Sequence, residues 1–283
     1  MVDQQRLARA DRTFDGHPVS DAQSSPQVFN VRMAAQLDRL YASPQVVAQR
    51  KRLRELIAAR PGERGLDVGC GLGHLSCELA LDVGEAGRII GLDASADMVA
   101  GANERVAALG VADRVSLMRG DATALALPNA SLDFAVAVQS YSYVPQVERA
   151  IVEAARVLRR GGRLAVLETD WDMCVYQSAD NAVMQRLFDG RWRFAHSHLP
   201  RQLHRMFRDA GLQLAQAEAF PIVETHYDPA SFGVGLLAVA RNAAVRHGVD
   251  AAQADAWVAD IHARVNEGDY FFCVNRFMFI AVK

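Results

Sequence analysis

The sequence predicts an α/β fold in which a doubly wound sheet carries a helical cap. Three observations predict it: short apolar runs alternate with amphipathic segments, a glycine-rich turn follows the first run, and a long helical stretch precedes the last run. The chain has 283 residues, of which 51% are hydrophobic and 23% charged. This composition is typical of a globular protein with a sizeable core.

The N-terminal segment, residues 1–60, is predicted to form an arm and two helices that act as a partial lid. Residues 1–27 are polar and aperiodic, which is typical of a flexible arm. Apolar residues then recur at three- and four-residue spacing in Phe29–Tyr41 and Pro44–Ala59, which indicates two amphipathic helices. Pro61 ends the second of them.

Short apolar runs then follow as predicted strands: Gly65–Gly69, Arg88–Asp93, Val115–Gly120, Phe134–Gln139 and Leu164–Asp170. Helical periodicity separates most of them, in His74–Leu81, Ala96–Leu109 and Val147–Leu158, whereas residues 121–133 are predicted as mostly loop. Apolar strands linked by helices indicate a parallel sheet that is buried on both faces. Right-handed crossovers bring the carboxyl ends of the strands to one edge, where Rossmann-like sheets bind ligands.

The rest of the chain departs from this alternation. Two more helices, a sixth strand and an aromatic-rich seventh strand are predicted, at Val183–Phe194, Arg201–Ala210, Leu212–Glu224 and Tyr270–Val282. Residues 229–266 have helical character, and we interpret them as a cap inserted between the last two strands. The predicted domains are therefore the core at residues 61–228, this cap, and residues 267–283 as the final core strand.

A glycine-rich turn, Gly69-x-Gly71-x-Gly73, joins the first strand to the next helix. Glycines at such a turn let a ligand approach the backbone N–H groups without a Cβ in the way. Asp93 ends the second strand 20 residues after the last of these glycines. A carboxylate at this position accepts hydrogen bonds from ribose hydroxyls.

A second acidic residue, Asp121, follows the third strand. Its carboxylate can accept a hydrogen bond from an exocyclic amine while the N–H of Ala122 donates to a ring nitrogen. The turn and the two acids together predict an adenosine site. The simpler alternative is a tight turn followed by two aspartates that cap helices.

A dinucleotide-binding oxidoreductase is the rival interpretation of the turn. Its G-x-G-x-x-G fingerprint needs a third glycine one position later, where this chain has His74. Asp67 lies just before the turn and would repel a phosphate, whereas it can receive the amino group or the loop amides at the methionine end of S-adenosylmethionine. These residues favour S-adenosylmethionine over NAD.

Residues 65–73 resemble the first motif of the class I S-adenosylmethionine-dependent methyltransferases. Asp93, Asp121-Ala122 and residues 134–139 match the later motifs in order and spacing, and residues 156–164 are similar to the stretch before the fifth strand. The resemblance is greatest to UbiE-like small-molecule methyltransferases and covers about residues 45–220. Leu72 and Arg160 depart from the family pattern.

The resemblance implies a sheet of seven strands with the last antiparallel, and S-adenosyl-L-methionine as cofactor. It implies that Asp93 binds the ribose, that Met98 lies beside the adenine, and that Gln139 and Ser140 flank the reactive methyl. The cofactor-binding residues so implied are Asp67, Gly69, Gly71, Gly73, Asp93, Ala94, Met98, Asp121, Ala122, Gln139 and Ser140. For Gln49 and Arg50 two alternatives stay open, contact with the ligand carboxylate or a charged helix face.

Methyl transfer requires alignment of acceptor, methyl group and sulfur more than it requires a nucleophilic residue, and a general base helps only some acceptors. The catalytic candidates are Tyr141 and Tyr143, for which packing under the cap is the alternative, and His198. His196 and His204 lie close to His198 in sequence, but no carboxylate or cysteine cluster completes a ligand set. No metal site is predicted.

Several function classes are disfavoured by composition. The net charge of −2 provides no basic surface for nucleic acid. The fourth strand ends in Gln139-Ser140-Tyr141-Ser142, which differs from the Asn/Asp-Pro-Pro-aromatic motif of enzymes that methylate exocyclic amines of nucleobases or glutamine side chains. The absence of a C-x-x-C pair, a signal peptide or a membrane-spanning run predicts a cytoplasmic protein. A monomer or homodimer is expected, although these patterns do not derive it.

The leading hypothesis is therefore a methyltransferase that acts on the oxygen, nitrogen or carbon of a small molecule, quinone-like or a specialised metabolite. Two alternatives stay open: a protein that binds S-adenosylmethionine without transferring methyl, as a regulator or a pericyclase, and an NAD-dependent oxidoreductase.

Overall fold

The computed structural model describes residues 38–189 and 194–283. Its strands are β1 (Arg64–Val68), β2 (Arg88–Asp93), β3 (Val115–Arg119), β4 (Leu132–Val138), β5 (Leu158–Thr169), β6 (Val175–Tyr176), β7 (Gln213–Glu224) and β8 (Phe272–Val282). Its α-helices are α1 (Pro44–Ile57), α2 (His74–Val83), α3 (Ala96–Ala108), α4 (Val147–Val157), α5 (Asn181–Leu187), α6 (Leu203–Asp209), α7 (Phe232–Arg246) and α8 (Ala251–Glu267). The predicted arm, most of the first predicted helix, and residues 190–193 of the predicted helix Val183–Phe194 lie outside the described residues.

The strands form one sheet in the order β3-β2-β1-β4-β5-β8-β6, and β7 also pairs with β8. The strands β5 and β6 pair with successive parts of β8, whereas β7 pairs along its whole length. The first five strands are mutually parallel, whereas β8 runs antiparallel to β5, β6 and β7. The predicted Rossmann-like sheet with an antiparallel last strand is therefore confirmed. The two-residue strand β6 was not predicted, because so short a segment shows no periodicity.

Alternate side chains of the strands pack against helices on opposite faces of the sheet. In β5, Leu164 and Val166 belong to a cluster with residues of α4 and α6, whereas Ala165 and Leu167 belong to a cluster with residues of α1 and α2. Burial on both faces explains why the strands are continuous apolar runs. The parallel pairing of β1 to β5 places their carboxyl ends at one edge of the sheet.

A third apolar cluster lies where α7 and α8 meet the amino end of β8. It includes Leu236, Trp257 and Phe272, together with Trp171 and Tyr176 from the segment after β5. Both helices fall in the segment that the sequence predicts as a cap, apart from the last residue of α8. We keep residues 229–266 as the proposed cap, and the other domain limits also stay proposals.

A buried carboxylate fastens the cap to the sheet. Glu224 ends β7 and accepts hydrogen bonds from Ser231 Oγ at 2.7 Å and from the N–H of Gly233 at 2.8 Å, and Tyr270 Oη lies 3.1 Å away as a further donor. The hydroxyl of Tyr176 donates to the carbonyl of Gly233 at 2.6 Å. Hydrogen bonds from β6 and β7 thus hold the start of α7.

Gly233→Ala is expected to lower the free energy of unfolding by about 1–3 kcal/mol, the usual cost of overpacking. A Cβ at this position would lie 2.5 Å from the ring of Phe272 and 2.6 Å from Glu224 Oε2. Gly235→Ala, in the same helix, would meet the end of the flexible Leu40 side chain at 3.0 Å and serves as the control. Urea denaturation of both variants measures the difference, and equal stabilities would contradict the packing described.

No helix in the described ranges combines the length and apolar character needed to cross a bilayer.

Candidate functional site

The glycine-rich turn between β1 and α2 lies against the ends of two neighbouring strands. The N–H groups of Gly69 and Cys70 both donate to the carbonyl of Leu92, at 2.7 and 3.0 Å, which ties the turn to β2. A Cβ on Gly69 would lie 2.4 Å from Ser140 Cβ, so this glycine permits a close approach to the end of β4. A Cβ on Gly71 would meet no atom within 4 Å. The turn is therefore packed on one side and open at Gly71.

Asp93 links the turn to the end of β2. Its Oδ2 accepts a hydrogen bond from the N–H of Gly71 and its Oδ1 accepts one from the N–H of Ser95, both at 2.9 Å. Burial raises the pKa of this carboxyl above its ordinary value. The residue that caps α3 is Ser95, whose hydroxyl accepts from the N–H of Met98. Asp93 therefore does not cap α3, and its contact with a ribose stays a prediction.

Asp67 is buried below the turn, with 2% of its surface exposed. The Ser76 hydroxyl, from α2, donates to Asp67 Oδ2 at 2.6 Å. Burial raises the pKa of this carboxyl to about 7. Its contact with the amino group of a ligand or with the loop amides stays a prediction, because its described partner is a hydroxyl of the neighbouring helix.

The residues predicted to surround adenine are Met98 in α3 and Asp121 and Ala122 after β3. Met98 is buried. Ala94, another predicted cofactor residue, follows β2 and is exposed, and its carbonyl accepts from Arg119 Nε at 3.1 Å. Asp121 is exposed, and its Oδ1 accepts from the N–H and the hydroxyl of Thr123, both at 2.8 Å. Ala122 packs against the apolar cluster below.

The end of β4 has an unusual backbone conformation at Gln139. Its φ is +52°, which is rare for a residue other than glycine and is concentrated at functional sites. Gln139 Oε1 accepts from the Thr169 hydroxyl at 2.9 Å, whereas its buried Nε2 has no hydrogen-bond partner within the described ranges. Ser140 Oγ donates to the carbonyl of Val68 at 2.8 Å, which joins this strand end to β1.

Glu168, near the end of β5, holds the turn after β4 in place. It is fully buried, and its Oε1 accepts from the N–H groups of Ser140, Tyr141 and Ser142 at 3.0, 2.8 and 3.3 Å. Burial raises its pKa to about 7. The sequence analysis missed this residue, although a carboxylate inside the apolar run of β5 was an available signal.

The three catalytic candidates have different surroundings. Tyr141 is fully buried in the cluster that lies against α4, and burial raises its pKa, so its position favours the packing alternative. Tyr143 is half-buried, with its ring centroid 4.9 Å from that of Phe194. His198 Nδ1 lies 3.4 Å from Asp170 Oδ1. The structure does not bring these three side chains together as one catalytic group, and their roles stay predictions.

Asp170, Asp172 and His198 offer donor atoms that lie within 4.8 Å of one another. The guanidinium of Arg201 already binds both carboxylates, with contacts of 2.5 and 2.9 Å to Asp170 and 3.0 Å to Asp172. A cation already occupies the position between these acids, so the arrangement is a salt-bridge network. The absence of a metal site stays a prediction.

Gln49 and Arg50, the two residues on α1 that could contact the ligand carboxylate, both have hydrogen-bond partners within the protein. Arg50 donates from Nε to Glu78 Oε1 at 3.0 Å and from Nη1 to the carbonyl of Tyr41 at 2.7 Å. Gln49 Oε1 accepts from Arg276 Nη1 of β8. Arg276 was also missed, although a charged residue in the middle of the apolar run Phe272–Val282 marked it.

Comparison with known proteins adds to this geometry. A family profile described as "Methyltransferase domain" matches residues 66–166. The demethylmenaquinone methyltransferase of Bacillus cytotoxicus is 30% identical over 189 residues, which cover 61% of this chain and 79% of that protein. The 27-O-demethylrifamycin SV methyltransferase of Amycolatopsis mediterranei is 39% identical over 117 residues, which cover 41% of this chain and 42% of that protein. The chain spans about half the length of most of the curated relatives it matches.

Solved structures share the fold. A crystal structure from Bacillus halodurans matches with a TM-score of 0.60 and 17% identity, over 83% of this chain and 99% of that chain. The [4+2]-cyclase SpnF matches with a TM-score of 0.57 and 26% identity, over 84% of this chain and 80% of that chain. The profile and the curated relatives do not favour the dinucleotide alternative. Together with the sheet order and the glycine-rich turn, they establish that the chain belongs to the class I S-adenosylmethionine-dependent methyltransferase family.

Proposed function

We propose that this protein transfers a methyl group from S-adenosylmethionine to a small-molecule acceptor. The observation that carries the proposal is the meeting of the glycine-rich turn, Asp93 and the end of β4 at one edge of the sheet. Open-sheet α/β proteins bind ligands at this edge. Family membership supports the same conclusion.

Two features of the site fit the cofactor. A ligand can approach the backbone at Gly71, where a Cβ would meet no protein atom. Gln139 Nε2 is a buried donor without a partner in the described part of the chain. The next residue, Ser140, packs against Gly69 of the turn, so this donor lies close to the turn. An unsatisfied buried donor is costly unless a ligand accepts from it.

The cofactor supplies a methyl group on a sulfonium, whose carbon is attacked by the acceptor's lone pair while the C–S bond breaks. In this proposal Asp93 accepts hydrogen bonds from the ribose hydroxyls and Met98 provides an apolar wall for the adenine. Gln139 and Ser140 flank the reacting methyl and keep the acceptor in line with it. These residues bind and align, and none of them has to act as a nucleophile.

The acceptor is proposed to be a quinone-like compound or a specialised metabolite, because relatives are named for demethylmenaquinone and for a demethylrifamycin. The apolar cluster beneath the cap, which includes Trp171 and Phe194, would exclude water from such an acceptor. A cytoplasmic location, no nucleic-acid partner, and a monomer or homodimer complete the proposal. Size-exclusion chromatography with light scattering measures the oligomeric state.

Isothermal titration with S-adenosylmethionine, S-adenosylhomocysteine and NAD tests the cofactor. We expect both sulfur compounds to bind and NAD to give no heat, and the reverse result would overturn the proposal. Release of S-adenosylhomocysteine with a demethylmenaquinol acceptor, and with a panel of phenolic metabolites, tests the transfer. Cofactor binding without release on any of them would favour the alternative of binding without methyl transfer.

Asp93→Ala is expected to weaken S-adenosylmethionine binding by about 1–3 kcal/mol, because charge-assisted hydrogen bonds to the ribose are lost. The variant also loses the acceptor for the Gly71 N–H, so circular dichroism must accompany the titration. Asp113→Ala, which removes the same charge from an exposed site, is the control. Unchanged affinity in the Asp93 variant would refute its assigned role.

A further inference from the structure

Arg276 is a buried cation in β8 that has no carboxylate partner in the described part of the chain. Only 4% of its surface is exposed, and its Cζ lies 4.3 Å from the centroid of the Phe232 ring. Its one described hydrogen bond is the donation from Nη1 to Gln49 Oε1. Burying a guanidinium without a counter-charge is costly, so this position needs an explanation.

Three N–H donors near Arg276 and one acceptor, Glu168 Oε2, are buried and lack a hydrogen-bond partner in the described ranges. Arg276 Nε and Gln49 Nε2 are buried and have no hydrogen-bond partner among the residues described, and the same is true of Gln139 Nε2. The side-chain oxygens of both amides are already used, since Gln49 Oε1 accepts from Arg276 and Gln139 Oε1 accepts from Thr169. Thr169 lies directly opposite Arg276 in the pairing of β5 with β8. The group therefore offers N–H donors and needs an acceptor.

The surrounding acids do not supply that acceptor. Burial lowers the pKa of Arg276 to about 10, and Glu168 and Tyr41 act in the opposite direction, so both lie near the guanidinium. The Oε1 of Glu168 is engaged by three backbone amides of the turn after β4. Its Oε2 is buried without a hydrogen-bond partner, and no hydrogen bond or ion pair joins Glu168 to Arg276 in the described ranges.

The cationic group adjoins the proposed cofactor site. Tyr41 is close enough to Arg276, Asp93 and Glu168 for their charges to affect its pKa. Its ring also lies edge-on to His74, the first residue of α2, with 6.2 Å between the ring centroids. Tyr41 is thus near Arg276 and also near His74, which follows the glycine-rich turn.

We propose that Arg276 and Gln49 form a subsite for an oxyanion of the methyl acceptor, a carboxylate or a phenolate, with Phe232 as an apolar neighbour. The guanidinium and the amide N–H groups donate to the anion, which supplies the missing counter-charge. The inference rests on the proposed function, because it identifies the anion as part of the acceptor. An acceptor with an ionised hydroxyl would bind here without a protein base.

The experiment compares aromatic probes of similar size. Isothermal titration uses 1-naphthoate as the carboxylate, 4-nitro-1-naphthol at a pH where it is ionised as the phenolate, and 1-naphthamide as the neutral control. Each is titrated into the full-length protein with and without saturating S-adenosylhomocysteine. The wild type is expected to bind at least one anion about tenfold or more tightly than the amide. The anion that binds more tightly shows whether the subsite takes a carboxylate or a phenolate. If neither anion binds more tightly than the amide, the proposal is overturned.

Arg276→Met is expected to remove the preference for the anion, whereas affinity for S-adenosylhomocysteine stays within about twofold. Arg52→Met is the control, because Arg52 lies on α1 but binds Glu218 at the surface. Gln49→Met, which retains the cation, is expected to weaken anion binding to a smaller extent and provides a second test if the Arg276 variant fails to fold. Unchanged anion preference in these variants would refute the subsite.

Two further outcomes separate this inference from the proposed function. A loss of S-adenosylhomocysteine affinity in Arg276→Met, with anion binding retained, would assign the donors to the cofactor's own carboxylate and overturn the inference. A wild type that binds no S-adenosylhomocysteine contradicts the proposed function, and the titrations without cofactor still decide whether an anion binds at Arg276.

Discussion

Gly69→Ala is expected to lower the free energy of unfolding by about 2–4 kcal/mol and to abolish measurable S-adenosylmethionine binding. The backbone φ of +70° costs an alanine about 1 kcal/mol or more. The new Cβ would lie 2.4 Å from Ser140 Cβ, and overpacking of this kind adds about 1–3 kcal/mol. Separation of the two strand ends also breaks the hydrogen bond from Ser140 to Val68 that closes the site.

Gly71→Ala distinguishes packing from ligand contact. Its φ is +52° but its Cβ would meet no protein atom, so the stability cost is expected to be only about 1 kcal/mol. If the cofactor lies against the open side of the turn, affinity for S-adenosylmethionine still falls sharply. Gly110→Ala has a similar φ of +64° and open surroundings away from the turn, and it should leave the affinity unchanged. Equal affinities in the Gly71 and Gly110 variants would contradict this placement.

Glu168→Leu is expected to cost at least about 3 kcal/mol of stability, measured by urea denaturation at pH 6. The substitution leaves the N–H groups of Ser140, Tyr141 and Ser142 without their acceptor, at about 1–3 kcal/mol for each buried donor. Glu168→Gln is the matched control, because its side-chain oxygen can still accept from all three. A leucine variant as stable as the glutamine variant would show that the carboxylate does not support the turn.

The pKa of Glu168 also predicts how stability depends on pH. Its folded-state pKa of about 7 lies above the ordinary pKa of 4.5, so the folded state retains the proton where the unfolded state has lost it. The stability contributed by this difference is complete below about pH 4.5 and is lost as the pH rises to about 7. Asp67, raised from 3.8 to about 7, acts in the same direction. Glu168→Gln should therefore show a smaller loss of stability over this range.

The sheet was predictable because each strand carries its own signal. Continuous apolar runs identified β1 to β5, and the helical spacing between them implied parallel pairing. The glycine-rich turn and Asp93 were predictable for the same reason, since each lies at a strand end defined by local sequence. The helical character of the segment before β8 was predictable from its apolar spacing, and its role as a cap stays a proposal.

The acidic and basic residues inside strands were not predictable. Glu168 acts on the turn after β4, and Arg276 meets Gln49 from α1, which is 227 residues away in sequence. Hydrophobic periodicity treats such residues as exceptions within an apolar run and gives no partner for them. Their partners depend on which strands lie side by side, β5 with β4 for Glu168 and β8 with β5 for Arg276, and only the pairing of the sheet establishes this.

The segment between β7 and β8 begins and ends at one point of the sheet. Glu224 and Phe272 face each other in the last pair of the ladder between β7 and β8, so the chain leaves the sheet and returns to it at adjacent positions. The length of this segment can therefore change without shifting the register of either strand.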